Sequence, residues 1–308
     1  MAGYIVRRLL QAIPVLLGTT FLIYFMVFAM PGDPIVALFG EKTPPPQVLE
    51  QVRERYNLDQ PFIVQYLLFL GGIFRGDFGI SFSGQPVSDI LAATFPVTLR
   101  LALLAILIEM VAGITIGLVS GLRKGGIFDA SALVVSLILI SLPVFVVAFV
   151  AQYIFGIQLG WFRTTVGTGA PMQDLILPAI VLATISFAQI TRLTRASVIE
   201  TDTQDFVRTA ASKGLSRTRI VPVHILRNSL IPVVTYLAVD FGVLMVGATV
   251  TEGIFNVPGV GNTLYQAAIR NEGPTVVSFV TVFVILYVLV NLVIDLLYGL
   301  LDPRIRYA

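Results

Sequence analysis

Six stretches of this chain, residues 5–30, 95–122, 128–156, 174–190, 230–250 and 277–300, are long, apolar and nearly free of charge. An α-helix rises about 1.5 Å per residue, so roughly 20 apolar residues cross the hydrocarbon layer of a bilayer. A transmembrane β-barrel would instead show segments of about ten residues with alternating polarity, and the sequence has none. Only 12% of the residues are charged and the mean hydropathy is +0.89, whereas a soluble domain carries about 25% charged residues. The expected fold is therefore all-α and polytopic, with six transmembrane helices.

Residues 5–30 carry Arg7 and Arg8 near their start but are too long for a signal peptide, and no small-residue cleavage site follows them, so they read as a retained anchor. Residues 31–94 are polar and form an insert between the first two spans. Within it lie Gly32-Asp33-Pro34, Pro44-Pro45-Pro46 and a solvated amphipathic helix over 47–56. Residues 62–74 are apolar but too short to span, which predicts an interfacial helix or one packed on the bundle. The remainder, 95–308, is a five-span core.

The second span carries Gly113, Gly117 and Gly121, a spacing that puts three glycines on one helix face and lets another backbone approach closely. In the third span Pro143 predicts a kink or a broken helix. Trp161, the sole tryptophan, sits where a loop meets the membrane boundary. Six spans put both termini on one side. The segments on that side hold Arg7, Arg8, Arg123, Lys124, Arg192, Arg195, Arg208, Lys213, Arg217, Arg219, Arg227, Arg304 and Arg306. The opposite side holds Lys42, Arg53, Arg55, Arg75, Arg163 and Arg270 over far more residues. Positive charge gathers on the cytoplasmic face, so both termini are expected there and the 31–94 insert outside.

One long polar segment remains, residues 201–232. Thr201 and Gln204 have capping-box spacing, and Asp202 and Asp205 suit a helix N-terminus. Phe206, Val207, Ala210 and Ala211 form an apolar stripe, and Lys213 follows in the last turn. Gly214 fits the left-handed position that ends a helix, and Ser216 can cap the next. That second segment carries Arg217, Arg219, His224 and Arg227, with Pro222 starting or kinking it. The module suits docking on a partner, since Ala210, Ala211 and Gly214 leave little apolar surface for lipid. A helix lying on anionic headgroups is the plainer alternative.

Several chemistries are excluded. No G-x-x-x-x-G-K-[ST] loop occurs, so the chain hydrolyses no ATP itself. There is no cysteine, and His224, the one histidine, has no zinc-type cluster around it, so no metal site is expected. The net charge of +2 gives no reason to expect nucleic acid. Inside the spans, Glu109, Asp240 and Asp295 are either hydrogen-bonded to neighbouring helices or line a solute path, as in a proton-coupled carrier. Gln152, Gln189, Glu109 and Asp240 are the polar candidates for pore or helix packing.

The run Arg208-Thr209-Ala210-Ala211-Ser212-Lys213-Gly214-Leu215-Ser216, continuing to His224-Ile225-Leu226-Arg227-Asn228, resembles the cytoplasmic Glu-Ala-Ala loop of ABC importer permeases of the oligopeptide, dipeptide and nickel type. Gly32-Asp33-Pro34, Leu58-Asp59-Gln60-Pro61, Gly76-Asp77-Phe78-Gly79 with Ser81, Glu252 with Phe255 and Pro258-Gly259, and the ending from Asn291 to Arg306 extend the resemblance to the first permease subunit of that family. The loop departs from the general pattern: the glutamate position is Arg208, the first alanine is Thr209, and the closing Ile-x-Leu-Pro falls on His224, Leu226 and Arg227, where only the leucine agrees.

The resemblance implies the type I importer permease fold in the bacterial inner membrane, with the pore shared with a second homologous permease. It further implies two ATP-binding cassette subunits holding ATP and Mg, and an extracytoplasmic solute-binding protein delivering di- or oligopeptides. The ATPase-coupling loop would comprise Arg208, Thr209, Ala210, Ala211, Lys213, Gly214, Leu215, Ser216, His224, Leu226 and Arg227. This chain itself would bind no cofactor. The same machinery carrying nickel or another small solute is the alternative within the class.

Overall fold

The computed structural model describes residues 2–28, 47, 50, 53, 57–81 and 83–301. The expected turns at Gly32-Asp33-Pro34 and Pro44-Pro46, and the tail after 301, lie outside them. Of the helix expected over 47–56, residues 47, 50 and 53 are described, each helical.

Every regular element described is helical. In order these are α1 (Ala2–Phe28), α2 (Phe62–Phe74), α3 (Val87–Leu122), α4 (Ile127–Ser141), α5 (Val144–Ala151) continued by a π-helical stretch (Gln152–Gln158), and α6 (Met172–Asp202). Then come α7 (Asp205–Ser212), α8 (Arg217–Ile220), a second π-helical stretch (Val221–Leu226), α9 (Arg227–Phe255), α10 (Val260–Ile269) and α11 (Gly273–Leu301). Five helical runs are long and apolar enough to cross a membrane: Leu10–Phe28, Val87–Leu122, Met172–Asp202, Arg217–Phe255 and Gly273–Val290.

The third expected span is not one straight helix. α4 and the α5–π run turn by 105° about Leu142 and Pro143, and counting this bent pair as one span gives six. Proline disfavours helical geometry in the residue before it, and Leu142 is accordingly extended at φ −92°, ψ 129°. Two other boundaries shift most. α3 begins at Val87, eight residues before the expected span. α6 runs past Arg192 and Arg195 to Asp202, because no helix breaker follows Ile190.

The chain divides into two compact units, residues 1–97 with 259–308 and residues 98–258. They cut across the divisions expected from sequence, because α11 packs on α1. In the first unit Tyr24 of α1, Tyr66 of α2 and Val277 of α11 form one buried cluster, and Val87, Leu91, Val260, Phe279 and Phe283 form another. Residues 62–74 are thus a packed helix. The Tyr66 hydroxyl donates to the Leu17 carbonyl at 2.9 Å and lies 2.9 Å from the Thr20 hydroxyl.

In the second unit, α6 is the central element. Fifteen of its residues are buried, from Asp174 to Thr201. A Cβ built at Gly113 would lie 2.8 Å from Ile190 Cγ2, at Gly117 2.6 Å from the Thr191 carbonyl and Thr194 Cβ, and at Gly121 2.7 Å from Val198 Cγ1. Gly113, Gly117 and Gly121 therefore meet Ile190, Thr194 and Val198, four-residue steps on both helices, and backbone packs on backbone. Trp161 is exposed and its ring lies 5.8 Å from that of Phe155.

Candidate functional site

The module after α6 is a helical hairpin on a firm seat. α7 ends in a Schellman arrangement: the Gly214 N–H donates to the Ala211 carbonyl at 2.9 Å and the Leu215 N–H to the Ala210 carbonyl at 3.3 Å. Gly214 has φ +79°, which explains the glycine, and a Cβ there would meet nothing within 4 Å. Ser216 occupies the position before α8, but its hydroxyl lies 2.9 Å from that of Thr218 and caps no N–H. Pro222 does not start the second segment, which is already helical from Arg217. It sits at the head of the π-helical stretch, and the helical run continues from Arg217 to Phe255.

The start of the module differs from expectation. Thr201 and Asp202 belong to the last turn of α6, and Gln204 precedes α7 without a side-chain cap. Thr201 is buried 3.1 Å from the Ser229 hydroxyl of α9. Asp202 accepts two bonds from Arg217, at 2.7 and 2.9 Å, which ties α8 to α6. The apolar stripe is also narrower than expected, since Phe206 and Ala211 are exposed.

Beneath the hairpin, Val207, Ala210, Ile220 and Ile225 pack with Val198 of α6, flanked by Leu118, Leu122 and Leu215. Burying each larger aliphatic side chain contributes about 1.5–3 kcal/mol, enough to hold so short a hairpin in one position. Of the expected loop residues, Ala210 is therefore turned inward, and Leu215, His224 and Leu226 are half-buried. Arg208, Thr209, Ala211, Lys213, Gly214, Ser216 and Arg227 are exposed. Arg208 has an exposed partner in Asp205 at 3.6 Å, a pairing that water largely screens. The outer face is basic, with small residues at its tip.

The polar candidates inside the spans do not gather in one place. Glu109 is fully buried and its carboxyl faces that of Asp240, while neither Glu109 oxygen meets hydrogen-bond geometry with any described residue. Asp240 Oδ1 accepts from the Ser186 hydroxyl at 2.5 Å. Gln152 instead donates to the Thr164 carbonyl at 2.5 Å and holds the 159–166 loop. Gln189 lines a separate hollow of about 300 Å³ with Leu133, Arg192 and Arg195. The side chain of Asp295 lies outside the described residues. No group of three or more metal-binding side chains occurs among the described residues.

Two pairs, each with a buried carboxylate, escaped the sequence reading. Thr98 donates to Glu252 at 2.6 Å, both fully buried. Asp129, 2% exposed, accepts from Arg195 Nε at 2.5 Å and Nη2 at 2.8 Å. The available signal was an acidic residue five positions after Lys124, within an apolar segment, with an arginine on a later helix to match it.

Comparison with known proteins identifies the family. Residues 113–307 match the model of the binding-protein-dependent transport system inner membrane component, and residues 1–102 match that of its N-terminal region. The di/tripeptide transport system permease protein DppB of Pseudomonas aeruginosa is 37% identical over 334 aligned positions, covering 100% of this chain and 99% of the relative. The oligopeptide transport system permease protein AppB of Bacillus subtilis is 37% identical with both chains covered fully. The dipeptide transport system permease protein DppB of Escherichia coli is 36% identical over 100% of this chain and 99% of its own. With apolar helices built to cross a membrane, a glycine-lined helix seam and an exposed basic hairpin, the chain belongs to the binding-protein-dependent transport system inner membrane components.

Proposed function

We propose that this chain is one of the permease subunits of an ATP-driven importer and forms half of a pore for di- or oligopeptides. Full-length similarity to proteins named as peptide permeases supports the substrate class. A second homologous permease completes the pore, and an extracytoplasmic binding protein delivers peptide to the face that includes residues 31–94. Both termini and the 201–232 module lie in the cytoplasm, where two ATP-binding cassette subunits supply ATP and Mg.

The observation that carries this reading is the hairpin tip. Gly214 stands in open space at the end of a helix whose opposite face is anchored to α6. A groove on an ATPase can take such a tip, and the anchored face turns its movement into movement of α6 and α9. Transport is then a two-state exchange of rigid elements, driven by closure of the attached ATPases.

The test is affinity purification of the tagged chain in mild detergent, as wild type, Gly214→Ala and Gly214→Trp. Wild type is expected to bring down ATPase subunits and a second permease. Gly214→Ala carries only the strain of a non-glycine residue at positive φ, about 1–2 kcal/mol, and retains the ATPases. Gly214→Trp fills the open space and loses the ATPases alone. A wild-type chain that purifies without partners and still moves solute after reconstitution overturns the reading.

A further inference from the structure

Asp129 is the point where three segments of the second unit are joined. Its carboxylate accepts from Arg195 of α6 twice, from the Ser120 hydroxyl near the end of α3, and from the Gly125 N–H of the α3–α4 turn at 2.9 Å. Asp129 itself lies in the first turn of α4. Arg195, Val198 and Asp202 recur at spacings of three and seven, which places them on one face of α6. Val198 belongs to the cluster with Val207, Ala210, Ile220 and Ile225, beside Leu118 and Leu122 of α3, and Asp202 holds Arg217. The last two turns of α6, about 10 Å of rigid helix, therefore carry the hairpin at one end and α4 at the other.

Both links to α6 include a guanidinium–carboxylate fork. The seat under the hairpin is itself apolar and non-directional, and the Arg217 fork on Asp202 adds its angle. The Arg195 fork on Asp129 fixes distance and orientation together, because a planar guanidinium meets a carboxylate along two parallel bonds. α4 leads directly into the 105° bend at Leu142 and Pro143. We propose that Asp129 and Arg195 are positioning residues that transmit displacement of the hairpin, through α6, into α4 and the bent pair. This inference rests on the coupling role given above to the hairpin.

This chain has no cysteine, so one introduced into it is the only thiol it offers for labelling. Single cysteines are placed at Val134, exposed on α4, and at Thr218, exposed on the hairpin, and each is spin-labelled in the purified complex. The signal is compared before and after trapping the ATPases with ATP and vanadate. Removing Arg195 alone would strand a buried carboxylate and endanger the fold, so Asp129→Asn is combined with Arg195→Gln. In the otherwise unaltered complex both labels are expected to respond. In the double variant the Thr218 label still responds and the Val134 response falls to baseline, with Arg195→Lys between the two because it keeps charge but not the fork.

A Val134 response that persists in the double variant overturns the proposal. Failure of both the double variant and Arg195→Lys to assemble also overturns it, since the pair then only holds the fold. A Thr218 label that stays silent in the unaltered complex strikes instead at the coupling role of the hairpin, on which the proposal stands.

Discussion

Between α3 and α6 the contact is made by what is missing. Gly113, Gly117 and Gly121 present bare backbone to Ile190, Thr194 and Val198. Between α1 and α2 the contact is made by bulk: the Tyr24 ring lies 5.7 Å from Phe62, 5.7 Å from Tyr66 and 5.2 Å from Phe69, and Phe21 meets Tyr66 edge-on at 5.2 Å. Lipid tails are as apolar as side chains, so burial alone gives helices little reason to associate within a bilayer. The glycine seam answers with close van der Waals packing over about two turns. The aromatic contact adds ring edge-to-face attraction and one anchored hydroxyl. A seam should fail when anything is added, and an aromatic contact when anything is removed.

The largest expected effect comes from removal. Tyr66→Ala takes away a ring that is 8% exposed and packed on Phe21 and Tyr24, at a cost of about 3–5 kcal/mol. Thermal unfolding of the purified protein in detergent measures it. A loss below that of the glycine variants would show that the rings are packing filler. Addition comes next. Gly117→Ala places a methyl against the Thr191 carbonyl, which is backbone and cannot turn aside, so a cost of about 1–3 kcal/mol is expected. Gly113→Ala meets only the Ile190 side chain closely and should cost less. Equal losses at the two glycines would mean the whole seam shifts as a unit.

The two contacts were not equally legible. Glycines at four-residue spacing inside an apolar run announce a helix face directly, because few other roles call for that pattern. The aromatic residues of α1 look like any lipid-facing aromatics, and nothing local to 62–74 names its partner. The same limit explains the bent third span: Pro143 announced a break, but its 105° angle depends on tertiary packing that no local pattern records. The hairpin was readable at Gly214, where one backbone angle demands one residue type. Its start was misplaced, because Thr201 satisfies a capping pattern while in fact being held by Ser229, 28 positions away. Asp129 and Arg195 are 66 positions apart and share no motif, so only the fold joins them.

The smallest expected effect tests whether the aromatic contact has a directional component at all. Tyr66→Phe keeps the ring and deletes the hydroxyl that donates to the Leu17 carbonyl, a bond whose net contribution is about 0.5–1.5 kcal/mol. Thr20 complicates the reading, because its hydroxyl lies 2.9 Å from that of Tyr66 and also donates to the Leu16 carbonyl at 2.7 Å. A double-mutant cycle with Thr20→Val separates the two. If the hydroxyls act as a pair, the combined loss in thermal stability falls short of the sum of the single losses. If the losses add, Tyr66 is held by Leu17 alone and Thr20 serves its own helix. If Tyr66→Phe costs nothing measurable, the α1–α2 contact is ring packing without a fixed register, and the contrast with the glycine seam becomes sharper still.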